Sequence, residues 1–199
     1  MKRQEVWELV TEYTKSESLI HHMLAVEAAM RAYARKYGED EETWGAVGLV
    51  HDFDYERYPS MDADTPDNQK HCLAGAEILR QKGWPEDLVH AVLSHATYSG
   101  VKPETRMEKT LYAVDELTGL VTAVALVRPS KNIADVNVKS VRKKWKDKAF
   151  AAAVDREEIA RAAADLGVDL DDHIQVVLSA LQDIAPELGL DGRLAVSSP

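Results

Sequence analysis

Hydrophobic residues recur at intervals of three and four along most of the chain, and alternating runs of β-branched residues are scarce. Because intervals of three and four place side chains on one face of an α-helix, the pattern predicts an all-α protein. Glycine and aspartate mark several helix ends: Gly38, Gly83 and Gly167 as stops, and Asp155 and Asp169 as N-caps. The predicted helices span residues 5–14, 17–37, 41–52, 69–82, 86–98, 104–127, 156–166 and about 170–184.

Two breaks divide this helical pattern into larger parts. A polar, proline-bearing loop covers residues 53–67, and the sequence Arg128-Pro-Ser-Lys-Asn132 interrupts the chain after its longest apolar helix. We therefore expect a helical bundle that forms the core of the protein over residues 1–127. A C-terminal helical extension is expected over residues 128–190, carrying a basic segment and packed on the core, with a frayed tail at 191–199.

Length and composition restrict the class of protein. A chain of 199 residues with 45% hydrophobic and 29% charged residues is typical of one globular unit. The longest apolar stretch, residues 120–127, is far shorter than the roughly 20 residues that span a bilayer. Glu5 and Glu8 interrupt the N-terminal region where a secretory signal would be apolar. These features predict a cytoplasmic protein without a membrane partner, and the single cysteine, Cys72, excludes an intrachain disulfide.

Charge is distributed unevenly. The formal net charge of −10 disfavours binding to duplex nucleic acid, whereas residues 128–148 carry a net charge of +6. Within that segment, Lys139, Arg142 and Lys143 would suit a phosphate group of a substrate if the extension folds over a pocket. The alternative is that these side chains form a solvated face.

The histidines are sorted by helical phase into inward and outward positions. His22 shares a face with Val26 and Met30, whereas the neighbouring His21 points elsewhere and would replace it only if the phase were wrong by one residue. His95 lies on the apolar face of its helix, and His90 lies on the polar face. His173, in the first turn of the last helix, is expected to be solvated or to cap that helix.

The dipeptide His51-Asp52 closes an apolar helix, and other ligand-type residues accompany it. His71 lies near a helix start, and Asp115 interrupts an apolar run, where a buried carboxylate needs a partner or a cation. Imidazoles with carboxylates suit one or two divalent transition-metal ions, namely Fe, Mn, Co, Ni or Zn. If Asp52 bridges, His22, His51 and Asp115 would bind one ion, and His71 and His95 the second. The alternatives are a hydrogen-bonded structural cluster, or one ion with His71 and His95 facing the substrate.

This order of residues resembles the HD-domain superfamily of metal-dependent phosphohydrolases over about residues 18–125. The resemblance rests on His22-Met-Leu-Ala-Val26, His51-Asp52, His71-Cys-Leu-Ala-Gly-Ala-Glu77 and Ala113-Val-Asp-Glu-Leu-Thr-Gly119. It implies metal ligation by His22, His51, Asp52 and Asp115, with His71 and His95 as the extra pair of dinuclear members. Phe53-Asp54-Tyr55 follows the pair in place of a glycine-bearing sequence, so the cyclic-dinucleotide and polyphosphate subfamilies are not assigned.

The resemblance implies a metal-dependent hydrolase that cleaves a phosphoester or phosphoanhydride bond in a small anionic substrate, with a nucleotide as the expected class. A metal-bound water would attack phosphorus. Asp54 and Glu116 lie beside the expected ligands and would orient a ligand or accept a proton, unless they are only solvated. Two alternatives remain at this point: a mixed-valent di-iron oxygenase, which the same ligand set also resembles through the relatives of inositol oxygenase, and a non-catalytic nucleotide-sensing protein.

Overall fold

The computed structural model describes residues 2–195, and within this range the chain forms nine α-helices and four short 3₁₀ turns. No strand occurs among these residues; the β-type pairings present are two isolated bridges, Ser60 with Lys70 and Asn132 with Asp191. The all-α prediction is therefore confirmed. The helices are α1 (Arg3–Tyr13), α2 (Glu17–Tyr37), α3 (Glu41–Val50), α4 (Leu73–Gln81), α5 (Glu86–Ser94), α6 (Arg106–Leu126), α7 (Val138–Trp145), α8 (Arg156–Asp165) and α9 (Leu170–Asp183).

The chain folds into two compact units whose boundary lies inside α6, between Tyr112 and Ala113. The first unit contains α1 to α5 and the beginning of α6. Within it, α3 packs against α1, α2 and α5, and α4 packs against α5. Tyr33, Leu49 and Leu79 are fully buried in this unit. The expected division into residues 1–127 and 128–190 stays a prediction.

The contact between α2 and α3 depends on small residues of α3. A Cβ atom on Gly48 would lie 2.9 Å from Cγ of Met30 and 3.0 Å from the carbonyl oxygen of Val26, so the absence of a side chain lets the two backbones approach. At Gly45 a Cβ atom would meet the guanidinium of Arg31 at 2.6 Å. Since α2 carries His22 and α3 leads into His51, this contact fixes the relative position of the two histidines.

Most predicted helix ends agree with the structure. Gly38 and Gly167 adopt positive φ angles of 71° and 76° after α2 and α8. The carboxylates of Asp155 and Asp169 accept hydrogen bonds from backbone N–H groups in the first turns of α8 and α9. The helices carry N-terminal caps where the sequence predicts them.

The start of α4 differs from the prediction. The helix begins at Leu73 and not at residue 69. The residues just before Leu73 do not join the helix, because Lys70 pairs with Ser60 and the N–H group of His71 donates to the Ser60 carbonyl at 2.9 Å. Cys72 then takes a φ of 56°, which interrupts any helix and is uncommon outside glycine. His71 thus precedes the helix in an irregular segment.

The second unit contains the rest of α6 together with α7, α8 and α9. Both α7 and α8 pack against α9, and Ile133, Ile159 and Ile174 are fully buried. The expectation for His173 is wrong: its ring is fully buried, and its Nε2 donates to the carbonyl oxygen of Ala113 at 2.9 Å. This histidine therefore links α9 to α6 and neither caps its own helix nor faces solvent.

Of the predicted frayed tail 191–199, residues 196–199 lie outside the described range, and Arg193–Ala195 form a 3₁₀ turn. Among the described residues, none of the helices combines the length and the apolar character that a transmembrane span requires.

Candidate metal centre

His51 and Asp52 lie directly after the last residue of α3, in a sequence of turns that follows the helix. Nδ1 of the buried His51 ring donates to the carbonyl oxygen of Gly48 at 2.8 Å. A carbonyl oxygen can only accept, so Nδ1 carries the proton and Nε2 is the ring atom available to a cation. The position at a helix end lets both adjacent side chains face the same side.

Two further histidines face one oxygen of the Asp52 carboxylate. Nε2 of His71 lies 3.1 Å and Nε2 of His95 lies 3.3 Å from Asp52 Oδ1. The other nitrogen of each ring is already in use: His95 Nδ1 donates to the carbonyl oxygen of Val92, and His71 Nδ1 donates to Asp54 Oδ1 at 2.9 Å. Both rings are thereby oriented with Nε2 toward Asp52.

His22 and His51 face the other oxygen. Nε2 of His22 lies 3.7 Å and Nε2 of His51 lies 3.6 Å from Asp52 Oδ2, and these two ring nitrogens are 3.3 Å apart. The centre therefore has two groups that share Asp52, one with His22 and His51 and one with His71 and His95. In each group the potential ligand atoms all lie within 4.8 Å of one another.

The donor set fits divalent transition ions. Imidazole nitrogens and a carboxylate suit such ions better than an all-oxygen site would, and the second ring nitrogen of ligating histidines is normally held by a carbonyl or a carboxylate. His51, His71 and His95 all show that arrangement. A carboxylate with one oxygen toward each pair of imidazoles is also the arrangement that bridges two ions.

Burial and charge act in opposite directions on Asp52 and His71. Burial by itself would raise the pKa of Asp52, but the charge of His51 and hydrogen bonds from His71 and His95 outweigh it and hold that pKa well below 3.8. Burial by itself would lower the pKa of His71, but hydrogen bonds to Asp52 and Asp54 raise it to about 9. A cation that binds between His71 and Asp52 must therefore displace a proton.

Asp54 is the residue that orients His71. Its carboxylate is fully buried, with Oδ1 bonded to His71 Nδ1 and Oδ2 accepting from the backbone N–H group of Gly75 at 2.9 Å. A Cβ atom on Gly75 would lie 2.8 Å from Cγ of Asp54, so glycine is needed for this approach. The structure thus brings one of the two predicted supporting carboxylates, Asp54, against an expected ligand.

Two supporting residues were not predicted to act here. Gly75 belongs to the sequence His71-Cys-Leu-Ala-Gly75, but nothing in a single sequence shows that this position lies against Asp54. Tyr55 packs edge-on against His71 with ring centroids 4.9 Å apart. Its position three residues after Asp52 was a usable signal, because a turn after the pair returns that side chain toward the site.

The remaining predicted residues belong to the second unit. Asp115 is half-buried in α6, and its backbone carbonyl accepts from Thr118 Oγ1 at 2.7 Å, while Glu116 is exposed. In α7, Arg142 Nε lies 3.2 Å from Asp171 Oδ1, and Lys139 and Lys143 are exposed. Metal ligation by Asp115, a supporting role of Glu116 and phosphate binding by the α7 cations stay predictions.

His90 serves a purpose separate from the cluster. Its ring is 41% exposed, in keeping with the predicted surface position, and its Nδ1 lies 2.8 Å from Oε1 of the buried Glu108. It lies within α5, whereas His95 follows the last residue of that helix, and it contacts Glu108 at the start of α6 while His95 contacts Asp52. His90 and His95 therefore form a natural pair for comparing a histidine inside the cluster with one outside it.

Comparison with known proteins agrees with the geometry. The family model described as HD domain matches residues 19–120, which is half of the chain. Ribonuclease Y of Oleidesulfovibrio alaskensis is 26% identical over 104 residues, covering 52% of this chain and 18% of that protein. Ribonuclease Y of Lawsonia intracellularis is 28% identical over 109 residues, covering 55% and 19%. The chain thus spans about a fifth of the length of these relatives, and no solved structure gives a significant match.

Proposed function

Because this chain belongs to the HD domain family, and so to a superfamily of metal-dependent phosphohydrolases, we propose that it hydrolyses a small phosphorylated molecule, with a nucleotide as the expected substrate. The expected ligands are His22, His51, Asp52, His71 and His95, together with Asp115. These residues would hold one or two divalent ions, and Asp52 is common to both groups of potential ligands.

One observation carries this proposal. Both oxygens of a single carboxylate, Asp52, face histidine Nε2 atoms, with the His71 and His95 rings on Oδ1 and the His22 and His51 rings on Oδ2. Four imidazoles around one carboxylate, three of them with Nδ1 already bonded elsewhere, match the donors that divalent ions require.

The ions and the residues of the chain would have different roles in hydrolysis. When bound, divalent ions polarise phosphoryl oxygens and supply an activated water at neutral pH. The imidazoles and Asp52 would hold the ions, and Asp54 keeps the His71 ring oriented with Nε2 toward Asp52. His22 and Asp52 have side chains that are 24% and 16% exposed, whereas His51 is fully buried, so the phosphoryl group would approach from the His22 side.

The net charge of the chain and the names of its relatives both bear on the substrate class. The chain carries a net charge of −10, so an anionic substrate needs a local positive site, which the bound ions would supply. The relatives are named ribonucleases, which makes the phosphodiester bond of RNA the second type of bond to test. Their match covers less than a fifth of their own length, so a small nucleotide remains the proposed substrate.

Metal analysis combined with a hydrolysis assay tests the proposal. The purified protein is loaded in turn with Mn, Co, Ni, Fe and Mg, and phosphate release is measured on nucleoside mono-, di- and triphosphates and on a short single-stranded RNA. We expect Asp52→Ala to lower both metal content and turnover by orders of magnitude, because it removes a ligand of both groups. His95→Ala is expected to remove metal, whereas the matched variant His90→Ala keeps metal and turnover.

Three results would contradict the proposal. Full metal content and turnover in Asp52→Ala would exclude a bridging role for that carboxylate. Tight metal retention without hydrolysis of any phosphoester would indicate a non-catalytic protein. Oxygen consumption after anaerobic iron loading, with polyols or phosphonates as candidate substrates, would indicate an oxygenase in place of a hydrolase.

A further inference from the structure

A groove opens on the more exposed side of the metal centre, within the first unit. It has a volume of about 400 Å³ and is bordered by His22, one of the proposed ligands. The other residues that line it, which we call the groove residues, are Ser16, Ser18, Leu19, Tyr55, Glu56 and Pro59. Since Tyr55 also packs on His71, the groove adjoins residues of both histidine pairs.

The chemistry of the groove residues differs from that of a phosphate site. Leu19, Pro59 and the Tyr55 ring supply apolar surface, and three hydroxyl groups come from Ser16, Ser18 and Tyr55. Neither lysine nor arginine is among the described residues that line the groove. Apolar surface with a few placed hydroxyl groups is typical of sites for uncharged ligands, whereas phosphate groups are bound by cations or free backbone N–H groups.

Glu56 adds a fixed negative charge to the groove. Its Oε2 accepts hydrogen bonds from the backbone N–H groups of Lys15 and Ser16, both at 2.8 Å. These two bonds lower the pKa of Glu56, which keeps the carboxylate ionised at neutral pH. They also occupy the two N–H groups just before α2 that would otherwise attract an anion. A second phosphate of a substrate would therefore be repelled here, whereas a hydroxyl group could donate to the carboxylate.

We propose that this groove binds the alcohol part of a phosphate monoester as a neutral, hydroxyl-bearing group of the sugar type, and that it disfavours substrates with a chain of phosphates. The inference rests on the proposed function, because it places the phosphoryl group at Asp52 and the rest of the substrate toward Glu56. It narrows the substrate class to monophosphates such as a nucleoside monophosphate or a sugar phosphate.

The test compares kcat/KM on substrates that differ in the charge or in the hydroxyl groups of the part that would lie in the groove. Adenosine 5′-monophosphate and adenosine 5′-triphosphate differ in the number of phosphates, while ribose 5-phosphate and 3-phosphoglycerate differ in that the alcohol part of the second carries a negative charge. Phenyl phosphate serves as a monoester without hydroxyl groups. The variants are Glu56→Gln, whose amide oxygen still accepts from Lys15 and Ser16, Ser18→Ala, and the control Glu8→Gln in a different cavity.

We expect the wild type to have a higher kcat/KM on the monophosphate than on the triphosphate, and on ribose 5-phosphate than on 3-phosphoglycerate. Glu56→Gln removes the repulsion and should lower KM for the triphosphate about fivefold, the effect of one weakly screened charge pair. Ser18→Ala should raise KM for ribose 5-phosphate by a larger factor than KM for phenyl phosphate. Glu8→Gln should change neither KM for the triphosphate nor KM for ribose 5-phosphate.

Other outcomes separate this inference from the proposed function. Preference for the triphosphate or for 3-phosphoglycerate, or equal behaviour of Glu56→Gln and Glu8→Gln, overturns the groove assignment while hydrolysis itself stands. If no phosphoester is hydrolysed, the proposed function fails. In that case, calorimetric titration of the metal-loaded protein tests the proposed specificity of the groove. Tighter binding of ribose 5-phosphate than of the triphosphate supports this specificity, and the reverse excludes it.

Discussion

A hydrogen-bond relay through three residues, Gly75, Asp54 and His71, determines the direction of one proposed ligand. The Gly75 N–H group holds Asp54 Oδ2, and Asp54 Oδ1 holds His71 Nδ1, which leaves Nε2 toward Asp52. Partners of this kind contribute to metal affinity although they do not touch the ion. The geometry therefore predicts an effect of substitutions that leave every expected ligand in place.

Gly75→Ala tests this relay. The added Cβ atom would lie 2.8 Å from Cγ of Asp54, so the carboxylate must move and His71 loses its orientation. We expect metal affinity to fall about 10- to 100-fold, measured by titration with Mn or Co. Gly119→Ala is the matched control, because a Cβ atom there meets nothing within 4 Å. Equal affinities of the two variants would exclude an orienting role for Asp54.

For single residues, the sequence predicted candidate ligands from their chemical type, but it did not show which residues contact them in the folded chain. It selected His22, His51, Asp52, His71 and His95 from helical phase and composition, and the structure brings these five together. It could not identify Gly75, because the need for glycine arises from a carboxylate 21 positions away. It was wrong on His173, since a polar first turn gives no sign that its ring reaches the Ala113 carbonyl.

The ends of the helices were predictable from the sequence where the capping residue lies within a few positions of the groups that it caps. Asp155 and Asp169 bond to N–H groups two and three residues later, which a short sequence window contains. The start of α4 was not predictable, because its delay to Leu73 comes from the pairing of Lys70 with the distant Ser60. The start of α6 had a local signal, Thr105-Arg-Met-Glu108, that predicts a capping box.

Glu108 at this helix start gives a prediction for stability. Its Oε2 accepts from the N–H groups of Glu104 and Thr105, and its Oε1 faces His90. Burial alone would raise the pKa of Glu108, but these bonds outweigh it and lower the pKa below 4.5. A lowered pKa means that the ionised form stabilises the fold above pH 4.5, and that this contribution disappears as the pH falls below that value.

We expect Glu108→Gln to lower the free energy of unfolding by about 1.5–3 kcal/mol at pH 7, the usual value of hydrogen bonds to a charged group. Urea unfolding of both proteins between pH 7 and pH 3.5 measures the difference, which should shrink as Glu108 becomes protonated. Glu77→Gln, an exposed control on α4, should change the free energy little at any pH. A difference that is constant with pH would contradict the ionised cap.

For the whole molecule, metal binding and folding should be coupled. Five of the six proposed ligands come from α2, the turn after α3, the segment before α4 and the residue after α5, so this cluster exists only when these elements are assembled. An ion that binds the folded chain and not the unfolded one stabilises it by about 2.7 kcal/mol at a hundredfold excess over Kd. For a chain of this length, that corresponds to a rise in Tm of about 5–10 °C.

Calorimetry with and without Mn or Co checks this coupling, after removal of endogenous metal with a chelator. Because both histidine pairs share Asp52, we expect Asp52→Ala to lose most of the rise in Tm. His90→Ala should keep it, even if its baseline Tm is lower through the loss of the Glu108 partner. An equal metal-induced rise in wild type and Asp52→Ala would show that the ions bind elsewhere, and an absent rise in both would show that the cluster holds no ion.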